Sequence, residues 1–254
     1  TDETGIVETG DISCPDRIWG AGTVGIDEDC YIDPPMGTFK PVIEWMVSEY
    51  TEYPDFHRTY MTPLVGHMTD DNGDGVRDVA DVPDILVLQF RTERQGVMRL
   101  LSGDGTGVHW TVHEVMWDGV SYHPYRYAGA AIGDIDADGS PDIVTTLTTS
   151  SGCYAAAFEA SGTVKWVQPD ENLYCGGNAP ALADLQGDGE PDVVMGHLIL
   201  RGDTGAVTSV GEWGSGRDGN YVNSGYHAFP VDLDGDGSME VVTGSGVYHA
   251  DGSL

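Results

Sequence analysis

The residues with the most evident chemistry in this sequence are carboxylates held at a fixed spacing. In Gly133-Asp134-Ile135-Asp136-Ala137-Asp138-Gly139-Ser140-Pro141-Asp142 they fall at relative positions 1, 3, 5 and 9, with glycine at position 6. A hard cation explains the pattern, because Ca²⁺ takes roughly six to eight oxygen ligands and a tight loop aims every second side chain inward. The glycine permits a sharp turn after the third ligand, and position 7, here Ser140, contributes its backbone carbonyl. One such Asp/Gly-rich stretch would also be ordinary turn chemistry.

The pattern occurs four times. Asp184, Gln186, Asp188, Glu190 and Asp192 repeat it with a neutral amide at the second ligand position. Asp232, Asp234, Asp236, Ser238 and Glu240 repeat it with a glutamate closing. The earliest copy is longer, running through Asp70, Asn72, Asp74, Val76, Asp78 and Asp81 before it reaches Pro83-Asp84-Ile85. Its closing ligand is expected to be Asp81, at position 12 as in an EF-hand-type loop, with Asp78 binding directly or through water. Four in-step copies make accidental turns a poor explanation, and the sequence predicts up to four bound Ca²⁺.

Stepwise strands must position these loops. An apolar run leads into each loop, as in Ala128-Gly129-Ala130-Ala131-Ile132, and another follows it, as in Ile143-Val144-Thr145-Thr146-Leu147. A third run, such as Tyr154-Ala155-Ala156-Ala157-Phe158, precedes a phrase bearing tryptophan, as in Gly162-Thr163-Val164-Lys165-Trp166. Trp45, Trp110, Trp166 and Trp213 each precede one loop, and read most simply as packing residues between units. Lys40-Pro41-Val42-Ile43-Glu44-Trp45-Met46-Val47 reads as a strand despite its proline. Each unit is then strand, loop, strand, strand, Trp-bearing strand, and the loops begin at residues 70, 134, 184 and 232. Four short strands repeated at such a period imply an all-β protein, a β-propeller of four-stranded antiparallel blades, with helix scarce. The expected division is an irregular Cys-containing lead-in over 1–39 and propeller repeats over 40–254, with loops at 70–84, 134–142, 184–192 and 232–240.

The 254 residues carry 42 acidic against 11 basic side chains, a formal net charge of −31. Such a surface offers no counter-charge to nucleic acid or to an anionic membrane. Four divalent ions would neutralise only part of it. No apolar run is long enough to span a bilayer, and the first residues lack the basic and apolar regions of a signal peptide, so Thr1 reads as a mature or trimmed start. The four cysteines lack metal-type spacing and allow three pairings. Cys14–Cys30 and Cys153–Cys175 are preferred because each closes a short loop. Paired cysteines and calcium loops both point outside the cytosol, to a secreted, cell-surface or periplasmic protein.

On these loops the sequence resembles the FG-GAP/VCBS repeats of integrin-α-type propellers, of a bacterial secreted sort. The Asp-x-Asp-x-Asp-Gly-x-Pro-Asp-Ile/Val-Val phrases carry the resemblance, and Asp70–Ile85 resembles the opening repeat of such bacterial proteins. It covers roughly residues 40–254. It implies a ring, seven-bladed in most relatives, with calcium in hairpin loops at one rim. This sequence departs in having four units, and in Gln186. The resemblance implies little about activity, since one repeat serves adhesins, lyases, lectins and assembly subunits.

Other motifs carry less. Gly214-Ser215-Gly216-Arg217-Asp218-Gly219 matches a dinucleotide fingerprint but follows no strand–helix context. His113-Glu114 lacks the second histidine of a zincin, and no Gly-x-Ser-x-Gly occurs. Arg201-Gly202-Asp203 sits in a phrase parallel to Ser102-Gly103-Asp104-Gly105-Thr106-Gly107, so turn chemistry accounts for it. The sequence therefore points to a non-enzymatic adhesion or assembly module whose partner is another protein or a surface glycan. The alternative is a lyase-like enzyme or lectin with Tyr122-His123-Pro124-Tyr125-Arg126-Tyr127 lining its site.

Overall fold

The structure, a computed structural model, describes residues 42–253 apart from 93, 170–172, 174, 177–178, 197, 211–226 and 244–245. The chain divides into two compact units, Thr1–Glu44 and Trp45–Leu254. Among the described residues every strand lies in the second unit and no helix occurs. The structure is all-β, with four antiparallel sheets following one another along the chain.

The first sheet runs in chain order through β1 (Leu64–Gly66), β2 (Asp84–Phe90), β3 (Gly96–Ser102) and β4 (Val108–Val112). A hairpin of β5 (Val115–Trp117) and β6 (Val120–Pro124) comes next, joined by Asp118-Gly119, both at positive φ, a turn signal that the sequence reading left unused. The second sheet is built on β7 (Ala130–Gly133), β8 (Asp142–Thr148), β9 (Cys153–Glu159) and β10 (Val164–Val167). β6 and β7 share one edge of β8: Gly133 to Ala130 pair with Asp142 to Thr145, and Pro124 and His123 with Leu147 and Thr148. The third sheet holds β11 (Ala181–Ala183), β12 (Asp192–Met195), β13 (Leu198–Arg201) and β14 (Val207–Val210). The fourth holds β15 (Phe229–Val231), β16 (Glu240–Val242) and β17 (Val247–Tyr248).

Each acidic loop joins the first two strands of its sheet. The central strands are buried on both faces; β3 and β8 are buried at every residue, which explains why their sequences show no alternation. The first strands of successive sheets touch in series, β1 to β7, β7 to β11 and β11 to β15. Gly133 lets one such pair close, since a Cβ there would lie 2.8 Å from Leu182 Cδ1. One core joins the first three sheets around Leu86, Leu100, Ile143, Phe158 and Leu200. A smaller one, with Leu185, Val194, Val241 and Tyr248, lies between the third and fourth.

The tryptophans join consecutive sheets. Trp45 Nε1 donates to Gly103 O (3.0 Å), Trp110 Nε1 to Ala160 O (2.9 Å) and Trp166 Nε1 to Gly202 O (2.7 Å). Each acceptor lies in the turn before a sheet's last strand. Two or three residues on, a glycine (Gly105, Gly162, Gly205) packs against the indole, so close that a Cβ would fall within 3 Å of it. Those glycines have positive φ, so the turn and the indole contact both require them.

Two expectations are corrected. The described residues of the 40–47 stretch form no strand, and Trp45 makes its contact from irregular chain. In the third sheet the register position of Trp110 and Trp166 holds Ser209 rather than a tryptophan. Ile199 pairs with Ser209 as Ala157 pairs with Trp166, and Ser209 Oγ donates to Ala250 O (3.2 Å) beside Gly252. Trp213 and the Gly214–Gly219 phrase lie outside the described residues, as do Cys14 and Cys30. Cys153 and Cys175 form a disulfide.

The segment before β1 is bound to the first sheet by Arg99, which is fully buried on β3. Its guanidinium donates to the carbonyls of Glu52 (2.8 Å), Tyr53 (3.0 Å) and Phe56 (3.0 Å) and to Gln89 Oε1 (2.5 Å), with Tyr50 stacked 4.0 Å away. Burial lowers its pKa, and the oxygen dipoles that bond it satisfy the charge.

Candidate metal loops

The four loops share one internal bonding scheme. The position-1 carboxylate accepts the amide of the position-6 glycine: Asp70 from Gly75 (2.9 Å), Asp134 from Gly139 (2.9 Å), Asp184 from Gly189 (2.7 Å) and Asp232 from Gly237 (3.1 Å). Position 5 accepts from position 7: Asp74 from Val76, Asp138 from Ser140, Asp188 from Glu190 and Asp236 from Ser238. Position 3 accepts from position 5 at Asn72, Asp136 and Asp234. These Asx-type bonds curl each loop locally, so the spacing in the sequence is also the spacing the backbone needs. The Gly189 amide, first among several, holds Asp184 below the usual carboxylate range.

The closing carboxylate begins the second strand and is buried. Asp142 and Asp192 accept the amide of the position-2 residue, Ile135 and Leu185, each at 3.2 Å, and Glu240 accepts that of Leu233 at 2.9 Å. Ile135 and Leu185 are themselves fully buried and pin their loops, whereas Leu233 is exposed. The first loop divides this task. Asp84, in strand register with Asp142, accepts from Met68 and Thr69, while both oxygens of Asp81 accept amides of Asp71, Asn72 and Asp78. Those bonds, led by the Asp78 amide, hold Asp81 low. Asp81 thus organises a longer loop, and Asp84 takes the place that Asp142 has elsewhere.

Two loops bring carboxylate oxygens to cation distance. Asp134, Asp136 and Asp142 offer oxygens within 4.8 Å of one another, and so do Asp232, Asp234 and Glu240. These donor sets contain only oxygen, which fits a hard divalent cation. The loops neighbour one another in chain order. Arg77 Nη1 donates to Ser140 Oγ (3.3 Å), and Met239 N donates to Leu185 O (2.9 Å). Asp136 and Ala137 share a cavity of about 410 Å³ with Gln186, Asp188, Asp192, Arg201 and Thr208.

Three sheets bear a β-bulge in the last strand, and its extra residue faces the loop end of the sheet. The residues are His109, Lys165 and Thr208. His109 Nε2 lies 2.8 Å from Asp84 Oδ1. Lys165 Nζ, nearly buried, reaches Asp136, Asp142 (3.0 Å) and Glu159 (3.5 Å). Burial pushes Asp142 up to about 6, and Lys165 limits the rise. Burial works against the Lys165 charge too, but its bonds to Asp136 and Asp142 more than offset this and raise its pKa. Thr208 carries no charge and donates to Ile199 O (3.0 Å), so no ammonium opposes the burial that, ahead of the Asp188 and Asp184 charges, raises Asp192; the Leu185 amide and a more distant Arg201 act against the rise. In the fourth sheet His249 Nδ1 lies 3.6 Å from Glu240 Oε1. Sequence reading missed these basic partners; a lysine or histidine immediately before two of the tryptophans was the available signal.

Arg201-Gly202-Asp203 is not displayed as a free tripeptide. Arg201 holds Asp203 with two bonds (2.9 and 2.8 Å) and Glu190 with a third contact (2.8 Å). Gly202 is buried, accepts Trp166, and has no room for a Cβ beside Ile135 O. Of the aromatic stretch 122–127, Tyr122 and Tyr125 are buried. Tyr127 lines a second cavity, of about 620 Å³, with Tyr60, Leu64, Gly176, Ala179 and His227. Tyr60 is 64 % exposed there and stacks on Phe90 with centroids 4.8 Å apart.

No family model matches this sequence, and no curated protein matches it. The FG-GAP/VCBS resemblance therefore rests on the loop motifs. Among solved structures the chain is similar to the Vibrio cholerae biofilm matrix protein Bap1, with a TM-score of 0.66 and 23% identity. The similarity covers 84% of this chain and 33% of that one, so this chain matches about a third of that protein's length. At this identity the likeness concerns the fold.

Proposed function

We propose that this chain is a calcium-stabilised β-propeller segment acting outside the cell as a non-enzymatic adhesion or matrix-assembly module. The observation that carries the reading is the succession of sheets whose neighbouring loops gather oxygen-only donors, in the FG-GAP/VCBS manner. The proposed ligands are the side chains of Asp70, Asn72, Asp74, Asp78 and Asp81; Asp134, Asp136, Asp138 and Asp142; Asp184, Gln186, Asp188 and Asp192; and Asp232, Asp234, Asp236 and Glu240. The carbonyls of Val76, Ser140, Glu190 and Ser238 complete the sets. The touching first strands would be the inner strands of adjoining blades, and the indole contacts their outer fastening. Likeness to a biofilm matrix protein and the Cys153–Cys175 disulfide favour an extracellular setting. The test is retention of the fluorescently labelled chain on extracellular matrix prepared from biofilm, in Ca²⁺ and in EGTA. Calcium-dependent retention is expected. Equal binding to matrix and to bare support would overturn the reading.

One observation favours a second reading, glycan recognition. Tyr60 and Tyr127 line the second cavity, and aromatic rings suit the apolar side of a sugar. Calorimetry with neutral and uronic oligosaccharides, beside a screen for unsaturated products, separates a lectin from a lyase. Loss of heat of binding in Tyr60→Ala is expected, and heat unchanged by that substitution would remove the cavity from consideration.

A further inference from the structure

The loops do not stand in equal need of a metal ion, because the sheets supply them with different counter-charges. In the second sheet the Lys165 ammonium lies among the carboxylates that the second loop would present to calcium: it touches both Asp136 and Asp142, two of its three clustered ligands. The bulge between Val164 and Trp166 aims it there, since the Trp166 contact on its C-terminal side fixes the strand's register. The third sheet repeats the bulge with Thr208 and leaves a cavity of about 410 Å³ over Asp192 instead of an ammonium. We propose that Lys165 is a built-in counter-ion that competes with calcium for the second loop, so that this loop holds its shape without metal and binds calcium more weakly than its carboxylates alone would.

The inference rests on the calcium reading above. A divalent ion coordinated by Asp136 and Asp142 would lie within a few ångströms of the ammonium, and the two repel at short range in a half-buried site. Calcium must therefore displace Lys165, which costs the lysine its carboxylate bonds. Lys165→Met removes the competitor. It also leaves the carboxylates unpaired when no metal is present.

The experiment compares wild type, Lys165→Met, Lys165→Arg and Thr208→Lys as whole chains, by calcium calorimetry and by melting in EGTA and in Ca²⁺. For Lys165→Met, one site is expected to tighten by about tenfold or more. Its melting point should fall in EGTA, and the gap between EGTA and Ca²⁺ should widen. Lys165→Arg keeps the charge and should follow wild type. Thr208→Lys should narrow the gap, and it decides the matter should Lys165→Met fold in neither solution. Calcium binding that Lys165→Met leaves unchanged or weakens, or a gap unmoved by Thr208→Lys, overturns the proposal while sparing the calcium reading. No calcium binding by any of the four chains overturns both.

Discussion

The second and third sheets share a four-strand order, β7–β8–β9–β10 and β11–β12–β13–β14, a turn glycine before the last strand and the same position-1 and position-5 loop bonds, yet they balance charge and packing differently. The second places Asp136 and Lys165 at its loop and Trp166 against its neighbour. At the equivalent places the third has Gln186, Thr208 and Ser209. One has an ammonium among its loop carboxylates and an aromatic fastening; the other has a buried carboxylate facing a cavity and a hydroxyl fastening. The backbone scheme survives both sets of side chains, because amide-to-carboxylate bonds inside the loop maintain it. What varies is the counter-charge at the loop end and the side chain that meets the neighbouring sheet.

The largest effect should come from removing metal. Binding to the folded form alone adds about 2.7 kcal/mol per site at a hundredfold excess over the dissociation constant. At about 2–4 °C per kcal/mol for a domain of this size, two or more filled loops predict a melting point lower in EGTA by roughly ten degrees or more. Ca²⁺ should restore it and Mg²⁺ should do so poorly, since Mg²⁺ demands a tighter octahedral shell. Calorimetric melting reads this directly. An identical curve in EGTA would mean that the Asx bonds suffice.

Packing should show the next largest contrast. Trp166→Ala removes a buried indole and its bond to Gly202, and should cost about 3–5 kcal/mol in urea unfolding. Ser209→Ala loses one hydroxyl bond and should cost about 0.5–1.5 kcal/mol. Equal costs would dissolve the distinction between the two fastenings.

Within the loops, Asp138→Ala should lower stability in Ca²⁺ more than Gln186→Ala, because it removes a charged ligand and the acceptor of the Ser140 amide. The difference is expected near 1 kcal/mol. The smallest effect should be at Arg201, whose carboxylate partners are largely exposed. Arg201→Ala should leave the urea unfolding midpoint close to that of wild type. Loss of adhesion in that variant with its fold intact would show that the tripeptide works as a ligand after all.

The strand–loop–strand–strand order was legible because each loop is a local object. Nine residues contain the carboxylates, the glycine they bond and the turn that follows, and the apolar runs on either side are long enough to read as strands. The spacing marked Asp81 as the first loop's closing ligand; that it accepts three loop amides while Asp84 holds the place of Asp142 is seen only in the structure. The β5–β6 hairpin is marked locally only by its Asp118-Gly119 turn between short strands; its place against β8 depends on an edge that β7 leaves free. Ser209 was not legible. Sequence spacing favoured the more conspicuous Trp213, whereas a bulge in β14 sets the register that places Ser209 opposite Ile199.

The sequence alone determined the all-β class, the repeat and the oxygen-rich loops, because local hydrogen bonding and hydrophobic runs are written in neighbouring residues. Only the tertiary structure decided which loop receives a counter-charge. Lys165 stands 29 residues from Asp136, and a one-residue bulge in a strand fastened at Trp166 turns it toward the loop. Coulombic pairing depends on distance in space, and strand register, rather than sequence spacing, sets that distance.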